Sequence, residues 1–376
     1  MIYLDNASTT GISPVVLEAM MPYLTTDYGN PGSVHGMGIE ARKAVDKARE
    51  QVAKAINADP QEIIFTSGGS EANNLAVKFA DEFWMDSGVR AVTSLTEHDS
   101  MKRAMKHYFP NTKMHQYLNP ADVLQTLNND DFSEVMRTYV SSFMYVNNEL
   151  GFVNPVYDIC SAAGRAGVLS IVDAVQALGH EKIDVREMHC FCMSLSSHKI
   201  NGPKGVGALY VSRIFGGRNS FVEPLIYGGE NQEFGLRGGT ENVPGIVGFG
   251  AACEQINVDQ SKTVIRELRK AFLETLDFDH VVNFDKHDSK IISLTVKDAD
   301  AETLVLMLAS KGVCISAGSA CKSLEQKPNE VLLAAGLSED EARHTVRVSM
   351  SHHNTVEEVR EAAKIFNYCI SIIRGN

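Results

Sequence analysis

Short apolar runs, each closed by small and polar residues, alternate with stretches of helical spacing along this chain. A mostly parallel sheet flanked by helices requires that alternation. The opening YLDNASTT ends a short strand, and Ser13-Pro14 supplies the N-cap and first position of a helix over VVLEAMMPYL. The glycines and proline of DYGNPGSVHGMG predict an irregular loop over 27–38, with Asn30 and His35 as its notable side chains. Ala41, Val45, Ala48, Val52 and Ile56 then step along one face of an amphipathic helix. EIIFTSGGSEANNLAVKFA reads as strand, Ser/Gly turn and helix. Further strands are predicted over 90–95, 137–145 and 169–173, and a helix over 263–276 leads to a second domain. Beyond it IISLTV, LVLMLAS, GVCISAG, TVRVSM and a final helix suit a small α+β unit.

The length of 376 residues suits two domains. A net charge of −12 argues against a broad grip on nucleic acid, which needs dense Lys and Arg. If nucleic acid is involved, another protein holds it. No apolar run is long enough to span a membrane, and the start MIYLDNASTT has neither a charged n-region nor an apolar h-region. A cytoplasmic protein is expected. Seven scattered cysteines fit reduced thiols, and the C-x-C at Cys190 and Cys192 reads as one face of a buried strand, so no metal is expected.

The candidate chemistry collects around SLSSHKINGPKGVGAL, which sets Lys199 on a short connection between two buried strands. A lysine there, beside Ser196, Ser197 and His198, suits a Schiff-base role with small donors gripping an anionic cofactor group. Gly68, Gly69 and Ser70 form a strand-to-helix turn fit for a phosphate, although such turns are common and this one is neither a dinucleotide fingerprint nor a P-loop. His98 and Asn148 follow predicted strands at the ends where open α/β sheets bind ligands. Asp173 closes an apolar run, as a helix cap or as a buried acid needing a cationic partner such as a protonated pyridine nitrogen; Gln176 lies one turn on. The glycine-rich 227–245 stretch is another ordered loop, carrying Arg237, Thr240 and Glu241. Cys321, in SAGSACKSLEQ beside Lys322, sits in a small-residue loop that suits a mobile, partly ionised thiol.

Nine motifs in order, YLDNASTT, GNPGSVH, TSGGSEANN, TEHDS, VNNELG, VDAVQ, SSHKINGPKG, RGGTENVPG and SAGSAC, resemble those of the pyridoxal-phosphate-dependent cysteine desulfurases, in the class V aminotransferase group. The resemblance covers essentially the whole chain, and the segment after GSAC resembles the NifS/IscS-like type I subgroup. It implies an α/β fold type I transferase: a large domain over 1–255 with a mostly parallel seven-stranded sheet, and a smaller α+β domain over 256–376 carrying the cysteine loop. Segment 1–15 would pack on the small domain.

The resemblance implies further that Lys199 holds pyridoxal 5'-phosphate and carries protons, with Asp173 on the ring nitrogen and Gln176 on the ring hydroxyl. His98 would stack on the ring and relay protons. Gly69, Ser70, Ser196 and His198 would take the phosphate, and Thr240 would reach that of the neighbouring subunit in a homodimer. Arg347 and Asn148, with Asn30 on the substrate side, would fix the carboxylate of L-cysteine. Cys321 would take the sulfur as a persulfide, leaving L-alanine, and pass it to an acceptor protein for iron–sulfur assembly, tRNA thiolation or DNA phosphorothioation. Two departures stand out: Ser351-His352-His353-Asn354 follows VRVSM where a glycine and a basic residue are usual, and the chain stops at Asn376 without the longer tail of housekeeping members. The first departure bears on the substrate-side wall; the second favours a dedicated acceptor, phosphorothioation among the options. A selenocysteine lyase, a small-substrate aminotransferase or a non-catalytic partner subunit are the alternatives.

Overall fold

The computed structural model describes residues 1–84, 89–110, 113–115, 138–213, 222–285, 289–317 and 328–375. In chain order its first half holds β1 (Ile2–Tyr3), α1 (Pro14–Thr25), α2 (Gly36–Ala55), β2 (Ile63–Thr66), α3 (Gly69–Trp84), β3 (Arg90–Ser94), α4 (Asp99–Tyr108), β4 (Lys113–His115), β5 (Thr138–Met144), α5 (Val156–Arg165) and β6 (Leu169–Asp173). There follow α6 (Val185–Met188), β7 (Cys192–Ser196), β8 (Gly207–Val211), α7 (Val243–Glu254), α8 (Val258–Thr275), β9 (Val281–Asn283), β10 (Ile291–Thr295), α9 (Ala301–Ser310), β11 (Val313–Cys314), α10 (Glu330–Ala334), α11 (Glu339–Arg343), β12 (Thr345–Ser349) and α12 (Val356–Ile373).

Seven strands make the main sheet in the order β2-β8-β7-β6-β5-β3-β4. Strands β3 to β7 run parallel, and β8 opposes both β7 and β2. All residues of β6 and β7 are buried, as a parallel sheet covered on both faces demands, which is why LSIVD and CMSLS read as runs without alternation. The carboxyl ends of β3, β5, β6 and β7 open on one side, and there Glu97 and His98, Asn148, Asp173 and Ser196 are delivered.

A second core forms where α8 and α12 pack on the antiparallel sheet β12-β10-β9. Leu4 is fully buried in it, β1 pairs in parallel with β11, and Asp5 bridges to Ser349. The N-terminal strand is therefore stitched to the second sheet, while residues 7–10 cross to the first: Thr10 N and Oγ1 both donate to the His198 carbonyl.

Two local expectations change, and a third, the ordered 227–245 loop, gains its physical cause. The irregular 27–38 stretch is shorter than its glycines suggest, because α2 begins at Gly36 with His35 Nδ1 accepting from Gly38 N at 3.3 Å. Gly38 is needed for approach rather than for a loop, since a Cβ there would lie 2.3 Å from the Ser33 carbonyl oxygen. The helix read over 263–276 starts at Val258, capped by Asn257. The glycine-rich 227–245 stretch is pinned by ion pairs: Arg42 with Glu241 at 2.7 Å, Arg237 with Glu71 at 3.0 Å, and the buried Arg49 with Glu233 at 2.7 Å. Glu233 also accepts from Phe65 N at 2.7 Å, and the Arg49 guanidinium lies over the rings of Phe65 and Phe234.

Candidate active site

A cavity of about 380 Å³ lies outside the carboxyl ends of β3, β5, β6 and β7. It is lined by Gly69, Ser70, His98, Asn148, Asp173, Gln176, Ser196, His198, Lys199 and Arg347, ten of the residues singled out from sequence. A second hollow around Gly68, Gly69, Ser70, Ser196, His198 and Lys204 adjoins it at the N-terminus of α3.

Lys199 projects from the turn that closes β7. Its Nζ donates to the carbonyls of Ala7 at 2.5 Å and Ser8 at 2.8 Å, so the crossing N-terminal segment holds it. Burial, reinforced by the Arg347 cation and opposed by Asp5, Asp173 and Glu149, brings its pKa down to about 8. Burial followed by the positive charges of Lys199, Lys204 and Lys290 lowers His198 to about 4. A neutral imidazole results, with Nδ1 3.1 Å from Thr9 Oγ1; it can offer an N–H to an anion without adding charge.

Asp173 is the last residue of β6. Its Oδ2 accepts from Asn73 Nδ2 at 2.8 Å and its Oδ1 from Val175 N at 3.0 Å, bonds that keep the carboxylate buried yet aimed at the cavity. His98 caps α4, with Nδ1 2.7 Å from Ser100 Oγ, which fixes the ring at the cavity wall. Gln176 donates to the Ala7 carbonyl at 2.8 Å. Arg347, on β12, reaches in from the second sheet. Its Nη1 donates to Asn148 O at 2.8 Å and Glu149 Oε1 at 3.1 Å, and its Nη2 to Asp5 Oδ1 at 3.1 Å and Ser8 Oγ at 2.7 Å.

The structure does not bring every expected residue here. Asn30 is exposed, with its Oδ1 spent on Gly32 N at 2.8 Å, and it does not line the cavity. Thr240 is exposed elsewhere on the chain. Cys321 lies outside the described residues; Ser316 and Val331, described on either side of it, both line the cavity. The Ser351 to Asn354 turn closes on itself through Ser351 N to Asn354 Oδ1 at 2.8 Å. Its His352 and His353 face a different cavity, with His180 and Asn201, so the departure at this turn leaves the Lys199 wall untouched. Conversely Ser8, Asn73, Glu97 and Glu149 line the site without having been singled out, although TSGGSEANN, TEHDS and VNNELG contain the last three. Burial, with the neighbouring Asp173 charge, pushes the Glu97 carboxyl well above its usual range.

The residues present fit pyridoxal phosphate. Asn73 Oδ1, Glu97 Oε2, Asn148 Oδ1, Gln176 Oε1, Ser196 Oγ and Arg347 Nε are buried, lack a partner among the described residues, and belong to residues lining this one cavity. Unpaired buried polar atoms are costly unless a ligand satisfies them. Gly69 keeps the phosphate end open, because a Cβ there would sit 2.5 Å from Val175 Cγ2.

Residues 2–361 match the family described as Aminotransferase class-V. The cysteine desulfurase IscS of Anaeromyxobacter dehalogenans is 41% identical over 388 aligned positions, covering 99% of this chain and 93% of that protein. The mitochondrial cysteine desulfurase of Drosophila melanogaster is 42% identical, covering 95% and 78%. Among solved structures, a NifS-like protein aligns with a TM-score of 0.87 at 31% identity over 99% of both chains. SspA in complex with cysteine aligns at 0.80 and 33% identity over 94% of this chain and all of that one. With that extent of likeness and a lysine, an acid and an arginine converging on one cavity, the chain belongs to the class-V aminotransferase family.

Proposed function

We propose that this chain is a pyridoxal-phosphate-dependent cysteine desulfurase that passes sulfur to an acceptor protein. The observation that carries the reading is Lys199 Nζ, half-deprotonated near pH 8, in one cavity with Asp173, His198 and Arg347. Bound pyridoxal phosphate supplies an electron sink for negative charge developing at the substrate's Cα. Lys199 would hold the cofactor and, with its amine free, would carry the Cα proton. Asp173 keeps the ring nitrogen protonated, Gln176 takes the ring hydroxyl, and His98 covers the ring face. Gly69, Ser70, Ser196 and the neutral His198 hold the phosphate at the N-terminus of α3. Arg347 and Asn148 orient the α-carboxylate of L-cysteine.

The Cys321 thiolate then forms an S–S bond to the substrate sulfur while the Cβ–S bond breaks. The electron pair of the broken bond stays with the carbon skeleton, which leaves as L-alanine after protonation. The persulfide remains on Cys321. Ser316 and Val331 at the cavity support this choice, because the chain between them starts and ends beside Lys199.

The chain divides into units 1–255 and 256–376, with the N-terminal segment belonging to the second core. It works as a cytoplasmic homodimer; for the dimer, α1 exposes Leu17, Met21 and Leu24 on one helical face, apolar side chains that a second subunit would cover. In that dimer exposed Thr240 serves the partner's phosphate. The acceptor is a dedicated sulfur carrier, with DNA phosphorothioation as its leading destination; the net charge of −12 favours a protein intermediary over direct contact with nucleic acid. Recovery of only a general iron–sulfur scaffold in a pull-down would overturn that assignment.

The function is tested with purified protein, pyridoxal phosphate and L-cysteine, following alanine and reductant-released sulfide together. Equal amounts support it; pyruvate or alanine without sulfide refutes it.

A further inference from the structure

We infer that Glu149 is a positioning residue that takes up a proton when the substrate carboxylate enters, releasing charge on Arg347 for the incoming anion. This rests on the reading of Arg347 as the carboxylate clamp. The guanidinium already serves two carboxylates: Glu149 Oε1 at 3.1 Å on Nη1 and Asp5 Oδ1 at 3.1 Å on Nη2. Asn148 O and Ser8 Oγ take further bonds from the same two nitrogens, and Nε is buried without a partner among the described residues. A substrate carboxylate docked there is a third anion around one buried cation. Like charges that close cannot all stay ionised.

Of the two resident acids, Glu149 is the one to yield. Its side chain is 5% exposed, against 20% for Asp5. Asp5 Oδ1 also accepts from Ser8 Oγ at 2.9 Å, so the oxygen facing Arg347 is held by a second donor. The bonds from Arg347 Nη1 and from Asn148 Nδ2, at 3.0 Å, both end on Glu149 Oε1, so a proton on Oε2 leaves them in place. Among the described residues the charged groups facing Glu149 are Arg347 from β12, Lys199 from the turn after β7 and Asp5 from the N-terminal segment, with the neutral Asn329 amide before α10. Burial already biases the Glu149 carboxyl upward against the pull of Arg347, so a further negative charge moves it in the same direction. The neutral acid that results still accepts from Asn148 Nδ2.

The test uses the pyridoxal-phosphate-loaded enzyme and propionate, a carboxylate without the amino group that would displace Lys199. Binding is followed by the cofactor's visible spectrum from pH 6 to 9, and proton uptake by an indicator dye in weakly buffered solution. The wild type should take up about one proton per site at saturation, with affinity falling about tenfold per pH unit above the transition. Glu149→Gln should keep its cofactor, take up none, and bind propionate with little pH dependence. No uptake in the wild type, or equal uptake in Glu149→Gln, overturns the inference. Arg347→Gln separates it from the reading beneath: propionate binding lost in that variant while the wild type takes up no proton refutes Glu149 alone. Undiminished binding in Arg347→Gln refutes the clamp, and the inference with it.

Discussion

A lysine brought to a pKa of about 8 is a nucleophile in waiting, and the size of the effect is measurable. At pH 7 about one Lys199 amine in ten is neutral, against roughly one in three thousand for a lysine of ordinary pKa. The advantage in capturing an aldehyde is therefore on the order of several hundredfold. Because the pKa is lowered, the neutral fraction rises with pH through about 8 and then saturates. Mixing apoenzyme with pyridoxal phosphate in a stopped-flow spectrometer should give a capture rate that climbs about tenfold per pH unit below that break and levels above it. Burial is the largest cause and the Arg347 cation the next, so removing the cation must move the break upward. In Arg347→Gln an upward shift on the order of one unit or more is expected, since a unit charge within the same cavity at an effective dielectric near 20 is worth more than about 1 kcal/mol. A break near pH 10 in the wild type, or a downward shift in the variant, would refute the electrostatic account of Lys199.

Other consequences follow from particular contacts. Gly69→Ala drives a Cβ against Val175 Cγ2, and cofactor affinity measured by equilibrium dialysis should fall about 10- to 100-fold, the equivalent of roughly 1–3 kcal/mol of overpacking, with Val175→Ala restoring part of it. Glu233→Ala leaves Arg49 buried without its bidentate partner, and the thermal transition should drop by the equivalent of about 3–5 kcal/mol, whereas the double change Arg49→Met with Glu233→Leu recovers most of it. Leu24→Asp on the exposed face of α1 should shift the protein to a monomer in sedimentation velocity; a dimer of unchanged strength would place the interface elsewhere.

Much of this arrangement is legible in the chain. Two of the strands that deliver the site, β6 and β7, are largely apolar runs ending in a polar residue, so Asp173 and Ser196 announce their positions at strand ends. The stripe Ala41, Val45, Ala48, Val52 and Ile56 is buried as its spacing requires. What stayed hidden has physical reasons. Gly36 and Gly38 look like loop residues, yet both lie in the first turn of α2, and Gly38 allows backbone to pass backbone there. Arg49 and Glu233 stand 184 residues apart, and neither carries a local sign of burial. The groups that hold Lys199 are the carbonyls of Ala7 and Ser8, and a backbone carbonyl has no sequence signature. Glu97 and Glu149 sit inside motifs beside His98 and Asn148, but only the fold shows that both are withdrawn from water.

The central claim is that sulfur leaves L-cysteine through Lys199 and lands on Cys321. Mass spectrometry of peptides from the holoenzyme after one equivalent of L-cysteine, without reductant, tests it most directly. The account predicts a mass increase of one sulfur atom on the peptide containing Cys321, matched by one equivalent of alanine, and neither in Lys199→Ala. Sulfur on another cysteine, or the same gain in Lys199→Ala, would contradict it.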